Sequence, residues 1–134
     1  GPGGRRVLNV GFGMGIVDGF LQAHRPRQHV IIEAHADVHA HMMQSRWNLK
    51  DGVDIHHGKW QDVVPKLVAQ GIKFDGIFFD TYAESYEDLR AFHSYLPDLM
   101  APDAVYSYFN GLGATNQFFY DVCCAVAEAD LQRL

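Results

Sequence analysis

Val7-Leu8-Asn9-Val10-Gly11-Phe12-Gly13-Met14-Gly15-Ile16-Val17 decides the fold. Four mostly apolar residues read as a buried strand, the glycines as a sharp turn, and Ile16-Val17 as the first turn of a helix. Glycine at three alternate positions lets the backbone bend and approach a ligand that side chains would exclude. In open α/β sheets, nucleotides and their relatives bind at such a strand-to-helix junction. The rest of the chain is placed by its distance from this loop.

Working outward, the apolar and helical patterns alternate. The first strand covers about 7–11 and the first helix about 16–24, broken by Pro26. Residues 28–34 (QHVIIEA) form a second strand ending near Glu33. Asp37 is the expected N-cap of a helix over about 38–48. A short third strand at 53–57 leads to Gly58-Lys59-Trp60 and a helix over about 62–70, with Pro65 placed in its first turn and Gly71 ending it. The fourth strand is 74–80 (FDGIFFD), closed by Asp80. A helix over 85–100 carries Leu89, Phe92, Leu96 and Leu99 on one face. After a Pro102-Asp103 turn comes a fifth strand at 104–110, a Gly111-Leu112-Gly113 loop and a last helix over about 115–131. Five alternations of strand and helix predict a parallel sheet covered on both faces. Right-handed crossovers bring the strand C-termini to one edge, with Gly11–Gly15, Glu33, Gly58–Trp60, Asp80 and Asn110.

The 134 residues suffice for one domain with a core, and 48% apolar against 20% charged residues is globular rather than disordered. No apolar run reaches membrane-spanning length, and Arg5-Arg6 precedes no signal-peptide core. The two cysteines, Cys123 and Cys124, are adjacent, which makes neither a disulfide framework nor a zinc set and points to a reducing, intracellular setting, cytoplasm or nucleus. A net charge of −5 argues against nucleic acid as partner. Residues 1–73 hold nine Lys/Arg against six Asp/Glu, whereas 74–134 hold two against ten. That second half reads as a solvated acidic face or as an approach surface for a cation.

Glu33 lies 22 residues after Gly11, at a strand end, where a carboxylate accepts hydrogen bonds from both hydroxyls of a ribose. This fits NAD and S-adenosylmethionine alike. The dinucleotide fingerprint calls for a third glycine or alanine at position 16, where Ile16 stands, which favours the methyl donor. The plainer reading of Glu33 is a charge partner for the following helix.

These residues carry a resemblance. Residues 3–14 (GGRRVLNVGFGM), Ile31-Ile32-Glu33-Ala34-His35, Gly58-Lys59-Trp60-Gln61-Asp62 and residues 74–82 (FDGIFFDTY) resemble the guanidino-nitrogen methyltransferases. That group comprises guanidinoacetate N-methyltransferase and the type IV protein arginine N5-methyltransferases. Asn9, the Glu33-Ala34-His35 triplet and Phe109-Asn110-Gly111-Leu112-Gly113-Ala114 resemble the arginine N5 branch. The resemblance implies a class I S-adenosylmethionine-dependent, Rossmann-like core with sheet order 3-2-1-4-5. It implies that Phe12, Gly13, Met14, Gly15, Ile16 and Val17 wrap the methionine part of the cofactor. Glu33 would hold the ribose beside Ala34 and His35, Trp60 and Gln61 would flank the adenine, and Asp80 would lie between donor and acceptor. The acceptor implied is an arginine-containing protein, methylated on the internal N5 nitrogen.

Asp80 suits that chemistry. A guanidinium is planar and protonated at neutral pH, with no lone pair suited to attack. A carboxylate can pair with it in two-pronged fashion and accept a proton as the N–C bond forms. A helix cap is the competing role for Asp80. Asn110 is a candidate acceptor contact or a plain turn residue, and Glu84 a second carboxylate or a solvated one.

Among eight histidines, His35, His39 and His41 cluster, as do His56 and His57, but no acidic or cysteine partner completes a metal set. Trp60 is also readable as an ordinary core aromatic, and Met42-Met43 as core. Relative to the resembled family, the chain lacks a segment before its first strand and the last strands of the sheet. It is therefore expected to be a catalytic-core fragment of a larger protein, with the fifth strand an open edge for self-association. The alternatives are small-molecule guanidino methylation, NAD-dependent oxidoreduction, and a non-catalytic cofactor-binding module.

Overall fold

The structure, a computed structural model, describes residues 4–13, 15–81 and 85–109, with Phe109 described by its backbone alone. Its elements are β1 (Arg6–Val10), α1 (Ile16–Ala23), β2 (Gln28–Glu33), α2 (Ala36–Gln44), a 3-10 turn (Trp47–Leu49), β3 (Val53–His57), α3 (Trp60–Ala69), β4 (Phe74–Asp80), α4 (Tyr86–His93), α5 (Leu96–Leu99) and β5 (Met100–Phe109). The strands pair in parallel in the order β3-β2-β1-β4-β5, the order expected. The expected last helix, Asn110 and the adjacent cysteines lie outside the described residues.

Strand alternation builds two unlike faces. Leu8, Val10, Val30, Ile32, Ile77 and Phe79 point to one side and pack with Trp60, Val63, Val64 and Leu67 of α3, Phe92 of α4 and Leu99 of α5. Leu89 and Leu96 join that cluster, as their helical spacing predicted. The other side carries Val7 and Phe78 against Val17 and Leu21 of α1, and Ile31 against Phe12 and Met42. By the same two-residue period Asn9, His29, Glu33 and Asp80 belong to this second, α1/α2 face.

Several boundaries moved, each for a local reason. His35, not Asp37, is the N-cap of α2, because its N–H is taken by Glu33 Oε2 at 2.9 Å, which turns the chain into the helix early. Asp37 instead sits in the first turn, where its charge favours the helix dipole. The helix α3 opens at Trp60, so Pro65 lies inside it rather than in its first turn and gives up the bond its N–H would make to the Gln61 carbonyl. The single helix expected over 85–100 is two, since Pro97 cannot supply the N–H that would carry α4 onward. The expected Pro102-Asp103 turn is a bulge inside β5. Phe74 pairs with Met100 but Gly76 with Val105, and Asp103 adopts φ 65° to absorb the extra residues.

Candidate functional site

The order β3-β2-β1-β4-β5 reverses direction between β1 and β4, and a crevice opens beyond their C-terminal ends. Gly11 leaves β1 there with φ 99°. A Cβ at this position would fall on the main-chain carbonyl oxygen of Asp80, so only glycine lets the loop pass the end of β4. On its other side, the Gly11 N–H donates to the Ile32 carbonyl at 2.8 Å. At Gly11 the loop is thus pinned between Ile32 on β2 and Asp80 on β4.

Gly13 and Gly15 also take positive φ, 57° and 79°. Gly15 caps α1, and a Cβ there would stand 2.6 Å from the Phe12 ring. The Phe12 ring itself is buried, edge-on to Trp47 at 5.1 Å, while its N–H donates to Glu33 Oε1 at 2.8 Å. Glu33 therefore spends one oxygen on the glycine loop and the other on His35, keeping further acceptor lone pairs on both. No charge pairing of Glu33 with α2 is involved in either bond.

The crevice holds a pocket of about 370 Å³ lined by Val10, Gly11, Gly13, Ile32, Glu33, Ala34, His35, Val38, Gly58, Lys59, Trp60, Gln61, Asp80 and Thr81. Its size and mixed lining suit a small organic ligand. Seven of the residues that the resemblance assigned to the cofactor meet here: Gly13, Glu33, Ala34, His35, Trp60, Gln61 and Asp80. Phe12, Gly15, Ile16 and Val17 do not line it. Phe12 and Val17 are core, and Ile16 is half-exposed at the start of α1. Met14 and Asn110 lie outside the described residues. Trp60 has two roles, since the residue is only 3% exposed and its ring packs edge-on with Phe79, Phe92 and Tyr95, yet it also lines the pocket.

Three carboxylates gather around the loop. Burial raises the Asp80 carboxyl above the ordinary carboxylate value, and the nearby charges of Asp18 and Glu33 push it the same way. Among the described residues no donor or cation is paired with its side chain. Thr81, next in sequence, has a buried hydroxyl with no partner among them either. Asp18 is fully buried, and burial raises its carboxyl too, opposed by donors from His29 and Asn9. Asp18 and His29 escaped the sequence reading because the one resembles a first-turn helix acid and the other a polar lapse in an apolar strand. The signal was parity. His29 shares its strand face with Ile31 in a strand covered on both sides, so it needs a buried partner.

Among the described residues no three His, Cys, Asp or Glu side chains group closely enough for a metal ion. His39 and His57 instead stack at 4.1 Å, and His56 faces Asp54 at 3.5 Å. No described helix is long and apolar enough to cross a membrane.

Comparison with known proteins gives a consistent picture. A sequence model described as guanidinoacetate N-methyltransferase matches residues 1–119. The chain is 54% identical over 129 residues to protein arginine N-methyltransferase 2 of Aspergillus oryzae, covering 96% of this chain and 31% of that protein. The proteins of the same name from Yarrowia lipolytica and Saccharomyces cerevisiae are 50% and 45% identical over 126 residues, covering 94% and 93% of this chain and 26% and 31% of theirs. The chain thus spans about a third of the length of the curated relatives it matches. It belongs to the guanidinoacetate N-methyltransferase family.

Proposed function

We propose that this segment is the cofactor-binding and catalytic core of an S-adenosylmethionine-dependent methyltransferase acting on a guanidino nitrogen, the N5 nitrogen of arginine in a protein substrate. One observation carries the reading: Asp80, unpaired among the described residues, stands at the switch point beside the glycine loop, with Glu33 and Asp18 close enough to raise its carboxyl. Such a concentration of negative charge repels the pyrophosphate of a dinucleotide and attracts a sulfonium or a guanidinium.

The residues present fit the cofactor. Glu33 keeps acceptor capacity for ribose hydroxyls, Val10, Ile32 and Val38 give an apolar wall, and Gly13 leaves open space where a Cβ would stand. Ala34, His35, Trp60 and Gln61 complete the lining. When bound, S-adenosylmethionine supplies a methyl group already activated as a sulfonium substituent. The chain's own task is positioning. Asp80 accepts two N–H bonds from the guanidinium plane and so presents one nitrogen for in-line attack. As that nitrogen forms its bond to carbon, its proton passes to Asp80, whose raised carboxyl is a better acceptor than an exposed aspartate. Phe12, Gly15, Ile16 and Val17 act from behind the pocket, shaping the loop and anchoring α1. The relatives' name, protein arginine N-methyltransferase, supports a protein acceptor.

In the intact protein, Asp80→Ala is expected to lower methyl transfer by about 10³-fold or more while S-adenosylmethionine affinity changes less than about fivefold. Radiolabelled transfer and titration calorimetry measure the two. Near-normal turnover in the variant would overturn the role of Asp80. Acid hydrolysis of labelled protein distinguishes N5-methylarginine from terminally methylated arginine. Label appearing in free guanidinoacetate and not in protein would replace the acceptor, and cofactor binding without any transfer would make this a binding module.

A further inference from the structure

Behind the glycine loop lies a buried polar chain that the proposed chemistry does not use. Asn9, Asp18 and His29 are each 1% exposed or less. Asn9 Nδ2 donates to the Gly11 carbonyl at 3.1 Å and to Asp18 Oδ2 at 2.7 Å. Both acceptors are oxygens, so the nitrogen of Asn9 must face them. Asp18 Oδ1 lies 2.7 Å from His29 Nε2, and His29 Nδ1 lies 3.0 Å from Gln22 Nε2. The amide of Gln22 donates to Nδ1, so the imidazole carries its proton on Nε2 and donates it to Asp18. The chain has one direction: Gln22 to His29 to Asp18, with Asn9 donating to Asp18 and, through its second N–H, to Gly11. It ties α1, β2 and β1 together at the loop they share.

Its end point is one peptide unit. The Gly11–Phe12 peptide is held by its carbonyl through Asn9 and by its N–H through Glu33 Oε1 at 2.8 Å. Flipping that peptide would turn its carbonyl toward the Glu33 carboxylate and its N–H toward the Asn9 amide, losing both bonds and creating two repulsions. Well-packed apolar residues could fill the same space at no stability penalty, and often with a gain. A network of polar side chains there therefore needs another reason.

We infer that Asn9, backed by Asp18, His29 and Gln22, is a positioning latch that fixes the Gly11–Phe12 peptide, and hence the cofactor loop, before ligand arrives. This rests on the proposed function only in naming S-adenosylmethionine as that ligand. A latch of this kind acts by preorganisation, sparing bound ligand the cost of ordering the loop.

The exchange variant Asn9→Asp/Asp18→Asn tests it in the intact protein. The exchange keeps a bond between positions 9 and 18 and leaves His29 an acceptor, but position 9 can no longer donate to Gly11. The Phe12 amide of the ligand-free protein is expected to exchange its hydrogen about tenfold faster or more, with the Ile31 and Ile77 amides unchanged, and S-adenosylmethionine to bind about tenfold more weakly. Unchanged Phe12 exchange in a folded variant overturns the latch. Should the exchange variant not fold, His29→Leu and His29→Gln decide. The first is expected to speed Phe12 exchange, and the second, which restores a donor to Asp18, to return it toward wild type. Equal exchange in the two overturns the inference. If the wild-type protein binds no S-adenosylmethionine, the proposed function fails, while the amide exchange still decides the latch.

Discussion

Asp80 shows at the scale of one residue how a site and a fold pull against each other. Its carboxyl is raised by burial and by two neighbouring carboxylates, with no described cation to offset them. A carboxyl raised in the folded state holds a proton that the unfolded chain has already released. The stability it allows is full below the ordinary carboxylate value of 3.8 and is lost as pH rises through the folded value. Asp80→Asn stays neutral throughout. It is expected to melt about 1–3 °C above wild type at neutral pH, the difference closing as pH falls to about 4. Scanning calorimetry across that range checks it; a variant that melts lower at neutral pH would show that the charge has a stabilising partner. Asp80 was legible in the sequence because an acid ending an apolar strand is conspicuous. The Asp18–His29 pair was not, because only packing α1 onto the sheet reveals that both are buried.

At the scale of elements, boundaries depend on who captures a main-chain N–H. Glu33 starts α2 by taking that of His35, and Ser85 starts α4 by taking that of Asp88 at 3.1 Å. Asp88 answers through Oδ2 to the Ser85 N–H at 3.4 Å and Oγ at 3.0 Å, a capping box built with aspartate. Ser85→Ala is expected to destabilise by about 1 kcal/mol, with Ser85→Thr close to neutral, read from urea denaturation midpoints. A cap that contributed nothing would leave Ser85→Ala at the wild-type midpoint. The expected helix start at 85 falls on this cap, since the periodic apolar pattern begins just after it, although the sequence reading assigns Ser85 no capping role. The sequence reading failed at Asp37 because Glu33, four residues away, competes from outside the helix. Pro97 passes unmarked inside the expected helix and Pro102-Asp103 reads as a turn, because whether a proline breaks an element or is absorbed depends on the neighbouring strand.

For the whole molecule, the sheet order matters most, because it places β1 and β4 side by side and brings Gly11 against Asp80. Trp60 joins that architecture to the core, with Phe92 at 5.3 Å and Phe79 at 6.0 Å across the α3, α4 and β4 interface. Trp60→Ala is expected to destabilise by about 3–5 kcal/mol, measured by denaturant unfolding, as well as opening the pocket wall. A loss under about 1 kcal/mol would mean the cavity collapses or the ring packs less tightly than described. Strand and helix alternation, the glycine turn and the carboxylates at the strand ends were readable from the sequence alone, whereas the strand order came from the family resemblance and is seen in the structure. The alternation, the turn and the strand-end acids follow from periodicity and residue type, which are local properties. Tertiary structure alone decided that Asn9, Asp18, His29 and Gln22 join into one buried chain, that Phe12 is core rather than pocket lining, and that Glu33 holds the loop as well as facing the crevice. Each of these depends on which side chains from distant positions share one desolvated space, and there a polar group must find a partner wherever in the chain it lies.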